Sequence, residues 1–176
     1  MQNNIRLKSS LPALRIIENE HHLLTHLMGE WHPIVLAFEQ GQFKNTEEAL
    51  VAFKSLRQKL VEFKKVLSKH TLKEEKHLFP MLAKYVGTEQ GPVKATEDEH
   101  GDINMYIEHF LFHTEGDLNM LTMEQMDQLA QDAGEVFEVL TFHFVKEESV
   151  IFPMVEDILS NIEQYDLFEN LYSQII

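Results

Sequence analysis

A chain of 176 residues is long enough to bury one core without covalent staples. Its Gly 7 and Pro 5 are about half of what an average usage of roughly 12% would give; this argues against a sandwich or barrel of many short strands and for a few long helices. Absent cysteine removes disulfide scaffolds, thiolate metal sites and cysteine nucleophiles, and a net charge of −14 has the wrong sign for a general binder of nucleic acid or anionic membrane.

The N-terminal MQNNIRLKSS has no apolar core of a signal peptide, and no run approaches roughly 18 apolar residues, so a soluble cytoplasmic protein is expected. Ser10 with Pro12 opens the first predicted helix, whose apolar stripe reads Leu14, Ile17, Leu24, Met28, Val35 and Phe38 before Gly41. Asn45 with Glu48 is a capping-box-like start for the second, which runs through Phe53, Leu60, Phe63 and Leu67 to Gly87. Gly91-Pro92 starts the third, carrying Val93, Ile103, Ile107 and Phe110 as far as Gly116. Thr122 with Gln125 caps the fourth, which continues through Leu129, Val136, Leu140 and Val155 to about Leu159. An amphipathic tail over about 161–174 forms a short fifth.

Four long helices with short connections pack as antiparallel neighbours. The expected fold is all-α: an up-down-up-down antiparallel four-helix bundle over about 11–159, with a short C-terminal fifth helix. No linker divides the chain, so residues 1–176 read as one domain.

Ten histidines are an excess for this length. Two of them open a repeat: His70-Thr-Leu-Lys-Glu74-Glu75-Lys-His-Leu-Phe79-Pro80 matches His143-Phe-Val-Lys-Glu147-Glu148-Ser-Val-Ile-Phe152-Pro153, 73 residues later. Glu20-His21 and Glu99-His100 form a weaker pair on the first and third helices. The bundle reads as two related hairpins.

Residues four apart share a helix face, so His70 with Glu74, and His143 with Glu147, can each reach one point. That face is the apolar one, and His21 and His100 occupy stripe positions on the other two helices. Closing the bundle places four histidines and two carboxylates inside it. An ionised carboxylate there costs several kcal/mol unless it is paired or metal-bound. The nearby stripe positions supply no Lys or Arg, which leaves a metal cation. Imidazole and carboxylate without thiolate suit iron, with manganese and zinc as lesser options. Two Glu from different hairpins are placed to bridge a pair of ions. A rival scheme rests on Glu-x-x-His at Glu18–His21, Glu74–His77 and Glu97–His100, as in ferritin-like centres. It falls on three helices rather than two, and Val150 stands where the fourth helix would need its His.

With these runs in hand, the sequence resembles the hemerythrin-like family, the HHE cation-binding domain, of bacterial di-iron type, from roughly Leu11 to Leu159. The resemblance implies a four-helix bundle around a non-haem centre of two iron ions. It makes His21, His70, His100 and His143 iron ligands and Glu74 and Glu147 the bridges. Oxygen-carrying members place a second His four residues after the first on the third helix, where this chain has Asn104. They also use Asp five residues after the fourth-helix His, where this chain has Glu148 after Glu147. Both departures resemble bacterial members tied to nitric-oxide and oxidative stress and to iron–sulfur repair.

The expected function is therefore a di-iron protein that meets a small ligand (oxygen, nitric oxide or peroxide) in stress response or iron-centre repair. An iron- or oxygen-responsive sensor acting through the C-terminal tail is the alternative. Partners are a small-molecule ligand and either a protein partner or a second copy, with no nucleic acid and no membrane. No separate nucleophile or acid–base dyad appears, so catalysis stays open. His77 is a candidate fifth ligand or a residue that hydrogen-bonds one. His22 and His26 are candidates to replace His21. His32, His109 and His113 lie too far along their helices. Glu75 and Glu148, about 100° round the helix from the bridges, read as salt-bridging or supporting residues.

Overall fold

The structure is a computed structural model that describes residues 7–174. The first six residues of the N-terminal segment, and Ile175 and Ile176 of the tail, lie outside the described residues. The helices are α1 (Pro12–Glu39), α2 (Thr46–Lys73), α3 (Phe79–Val86), α4 (Pro92–His113), α5 (Met123–Lys146), α6 (Phe152–Ile158) and α7 (Asn161–Tyr172). A π-helical turn, Glu74–Leu78, joins α2 to α3, and a second, Glu147–Ile151, joins α5 to α6. The described chain is an antiparallel helical bundle without strands, closed by a short C-terminal helix.

The local signals explain most boundaries. Thr122 and Gln125 form a reciprocal capping box at the start of α5. Asn45 accepts the Glu48 amide at 2.9 Å, while the Glu48 carboxylate reaches one residue further back and accepts from the Lys44 amide. At α1 the cap position is Leu11. Ser10 is drawn away because its amide and hydroxyl both donate to Glu156 of α6. The third bundle helix stops at His113, short of Gly116. The Thr114 amide turns back to the Leu111 carbonyl, and Arg57 of α2 donates to the Thr114 carbonyl at 2.8 Å.

Widened turns occupy the stretch before each Phe-Pro step. The Phe79 amide bonds the Glu74 carbonyl and the Phe152 amide bonds the Glu147 carbonyl, each five residues back. In an uninterrupted α-helix the proline ring runs into the carbonyl four residues behind it. One extra residue in the turn relieves that clash. The flanking residues keep α-helical backbone angles, so the rod continues past the turn.

α1 packs on α2 and α5, and α4 on α5 and α2. α2 and α5, which carry the His-x3-Glu runs, also touch across the centre. The buried apolar residues form two clusters. One holds Leu24, Trp31, Phe53, Phe63, Phe110 and Leu140. The other, at the opposite end, holds Leu14, Ile17, Phe79, Phe152, Leu167 and Leu171, the last two from α7. A polar layer of histidine and glutamate separates them. Among the described residues, no helix is long and apolar enough to cross a membrane.

Candidate metal centre

The polar layer contains all six residues singled out by spacing. His70 and His143 come from the last turns of α2 and α5, His21 from α1 and His100 from α4. Glu74 and Glu147 each open a π turn. All six are buried, His100 being the most exposed at 6%. Their side-chain atoms make two overlapping groups: His21, His70, Glu74 and Glu147 in one, and His100, His143, Glu74 and Glu147 in the other. Both carboxylates belong to both groups.

Each histidine directs Nε2 inward. His21 Nε2 lies 3.0 Å from Glu147 Oε2 and His70 Nε2 lies 3.1 Å from Glu74 Oε1. His100 Nε2 is 3.4 Å from Glu74 Oε2, and His143 Nε2 is 3.4 Å from Glu147 Oε1. These are close approaches without hydrogen-bond geometry. Both oxygens of Glu74, both oxygens of Glu147, and the Nε2 atoms of His21 and His70 have no hydrogen-bond partner. So many orphaned polar atoms converging in one buried layer require an explanation.

The outer ring nitrogens supply one. Glu148 accepts from His21 Nδ1 at 3.1 Å, Glu20 from His70 Nδ1 at 3.0 Å, Glu75 from His100 Nδ1 at 2.9 Å and Glu99 from His143 Nδ1 at 3.0 Å. A carboxylate can only accept here, so each Nδ1 carries a proton, and a metal that displaces any second proton from Nε2 would find a lone pair turned inward. His100 Nε2 and His143 Nε2 face each other at 3.1 Å, a contact that needs either a proton on one of them or a cation between them. A positive charge between them resolves the conflict, and a carboxylate behind each ring is the bracing that metal-bound histidines use.

The electrostatics favour a cation throughout. Burial alone would lower the pKa values of His21, His70 and His100, but neighbouring carboxylates outweigh it. Glu147, Glu148 and Glu74 hold His21 well above its ordinary value, and Glu74 with Glu20 raises His70. Glu74, Glu75 and Glu147 raise His100 to about 9. Burial would raise Glu74, yet His70, His100 and His21 hold it well below the usual carboxylate range. Each ion placed here would meet two imidazole nitrogens and oxygens of two shared carboxylates. That donor set fits iron, manganese or zinc.

Sequence reasoning missed two of the four residues behind the rings, Glu20 and Glu99. Glu20 is 6% exposed and ion-pairs with Lys73, itself 2% exposed. Glu99 and Lys146 repeat the arrangement on the other hairpin. The expectation that the stripe positions near the site supply no Lys or Arg is corrected at Lys73, three residues after His70. Lys73 is buried there, but its charge is spent on Glu20 rather than on a bridge. The Glu-His dipeptides at 20–21 and 99–100 were the available signal. Glu75 and Glu148 support rings carried by the opposite hairpin, in keeping with the supporting role expected of them.

Other candidates stand apart. His77 is partly buried and its Nε2 meets Gln174 Nε2 at 2.9 Å, outside both groups. His26 is exposed beside Glu30. His22 belongs to neither group. In the ferritin-like scheme Glu18 is diverted, accepting from the Lys8 and Ser9 amides at 2.7 and 3.1 Å. His32 stacks on Phe137, and the exposed His109 bonds Asp132 at 2.7 Å.

Comparison with known proteins adds a family. Searches of curated proteins and of solved structures return no significant match. The family model for the hemerythrin HHE cation-binding domain matches residues 12–155, which takes in every residue of the polar layer. The chain belongs to the hemerythrin HHE cation-binding family.

Proposed function

We propose that the chain is a non-haem di-iron protein that engages a small ligand, oxygen, nitric oxide or peroxide, in oxidative or nitrosative stress or in iron-centre repair. The observation that carries this reading is the sharing of Glu74 and Glu147 between two histidine pairs, with all four carboxylate oxygens otherwise unpartnered. In this reading His21 and His70 would hold one ion, His100 and His143 would hold the other, and Glu74 and Glu147 would contribute oxygens to both. Four protein donors would close a tetrahedral zinc site, whereas an ion preferring six donors keeps positions for an outside ligand. When bound, the iron pair supplies the redox and Lewis-acid chemistry.

The chain's own residues set the conditions for that chemistry. Glu148, Glu20, Glu75 and Glu99 fix the ring orientations and hold the Nδ1 protons. Phe79 and Phe152, from the Phe-Pro steps, pack beside His100 and His21 with ring centroids 5.6 and 5.8 Å away, and shield one side of each ring. Anaerobic reconstitution with ferrous iron should give about two irons per chain. His70→Ala and His143→Ala should lower that content, and oxygen, nitric oxide or peroxide should change the absorption spectrum of the loaded protein. A chain that takes up no iron rejects the proposal.

The sensor reading has one observation in its favour. α7 packs on α1 and on the π turn opened by Glu74, with Gln174 against His77. Partner capture that is the same with and without iron would reject it.

A further inference from the structure

The two histidine pairs are alike in donors and unlike in cover. A cleft of about 370 Å³ between α2 and α4 reaches His100 and is lined by Thr71, Glu75, Gly101 and Asn104 among others. The hollow on the other side, about 160 Å³, lies under Lys8 and Ser9 and reaches Glu148 without reaching His21.

The internal repeat identifies the cause. Residues of α2 and the first π turn correspond to those 73 positions later, and residues of α1 to those of α4 79 positions later. Thr71 therefore corresponds to Phe144, and Gly101 to His22. The Phe144 ring stacks on His21 at 4.3 Å and 22°, and it also packs beside His70 and His143. Thr71 is too short to do the same for His100, and its hydroxyl is taken up by the Leu67 carbonyl of its own helix. A Cβ added at Gly101 would meet nothing within 4 Å. The partly buried imidazole of His22 occupies the corresponding position on the sealed side.

Cover by the N-terminal segment follows the same asymmetry. Glu148, behind His21, is approached by Lys8 at 3.5 Å, and the Lys8 and Ser9 amides are pinned to Glu18. Glu75, behind His100, is 47% exposed against 21% for Glu148 and forms a wall of the cleft.

We infer that outside ligands reach the centre through the α2–α4 cleft and engage its His100–His143 half, with Phe144 and the segment at Lys8–Ser10 sealing the His21–His70 half. The inference rests on the di-iron reading above. The route is polar, bounded by Glu75, Glu97, Asn104 and Thr71 with Lys64 as its one cation among the described residues, so it suits small polar ligands and diatomic gases.

The chain has no cysteine, so one introduced thiol can be labelled uniquely. Ser68 lines the cleft and is exposed; Thr141, its repeat counterpart, is exposed on the sealed side. Ser68→Cys and Thr141→Cys variants are loaded with iron and then labelled with a bulky maleimide, so folding precedes the block. The labelled, loaded protein is oxidised with ferricyanide, azide is the probe, and its binding rate is read from the azide-to-ferric charge-transfer absorption by stopped flow. The label at position 68 should slow azide by about tenfold or more, and the label at 141 should leave it within about twofold. Equal rates, or slowing by the label at 141 instead, overturn the route, as does a loaded chain that azide does not perturb. Failure to load iron overturns the di-iron reading itself and is scored separately, by metal content before azide is added. A crystal structure of the loaded protein with azide gives an independent readout: anion beside His21 and His70 overturns the inference.

Discussion

The His21–His70 and His100–His143 halves use the same two kinds of donor, imidazole and carboxylate, and the same carboxylate bracing, yet they are supported very differently. On the first half, Glu20 and Lys73 form an ion pair that is almost wholly buried, and Phe144 lies against His21. On the second, Glu99 and Lys146 are 23% and 33% exposed, and a cleft opens beside His100. An internal repeat can therefore place donors symmetrically while the neighbouring side chains make one half a rigid anchor and the other an accessible face.

The largest effects should come from residues that both halves share. On the proposed two-ion reading, Glu147→Ala should abolish binding of both ions, because it removes a carboxylate from each group, whereas His143→Ala should release the ion of its own half first. Metal analysis after gel filtration reads the difference, and equal loss from both variants would break the picture of two separable halves. Removing the metal with a chelator should destabilise the fold by about 4 kcal/mol when free metal had been near a thousand times its Kd. Thermal unfolding with and without chelator checks it.

Next come the braces. Glu20→Ala leaves Lys73 as an unpaired buried ammonium and should cost about 3–5 kcal/mol, read by urea unfolding. Glu99→Ala should cost less, about 1–3 kcal/mol, because Lys146 can turn to solvent and only the buried His143 Nδ1–H loses its acceptor. Each should also weaken metal binding by about 10–100-fold. Adding Lys73→Met to Glu20→Ala should restore most of the stability without restoring metal affinity, which separates burial of charge from ring support. Equal costs at Glu20 and Glu99 would remove the distinction between anchor and face.

The packing contrast is smaller for one partner than the other. Phe144→Ala should cost about 3–5 kcal/mol, as expected for a large ring removed from a filled site. Thr71→Ala should change stability by less than about 1 kcal/mol. Smallest of all, Lys8→Ala removes an exposed pair with Glu148 and should shift stability by about 0–1 kcal/mol.

Much of this was written locally. Helix starts at Pro12, Thr46, Pro92 and Met123 follow from Pro and capping signals, since a cap involves residues three or four apart. The convergence of His21, His70, Glu74, His100, His143 and Glu147 follows from the same periodicity, which fixes the face a residue takes on its own helix. The π turns were signalled only indirectly, by prolines at 80 and 153. Local sequence could not show that Ser10 would leave its cap for Glu156, because that choice depends on a residue 146 positions away.

Sequence by itself determined which faces of the four helices are polar at one level, and so that a cation site forms between them. Only the tertiary structure decided what stands behind each ring and what covers it. The partner of His21 Nδ1 is 127 residues distant, and Lys73 is buried because Glu20 on another helix faces it. The mismatch of Thr71 with Phe144 is visible in the repeat, but its consequence depends on how closely neighbouring helices approach. Period and spacing fix the azimuth of a side chain on its own rod; the depth and contacts of that side chain arise between rods.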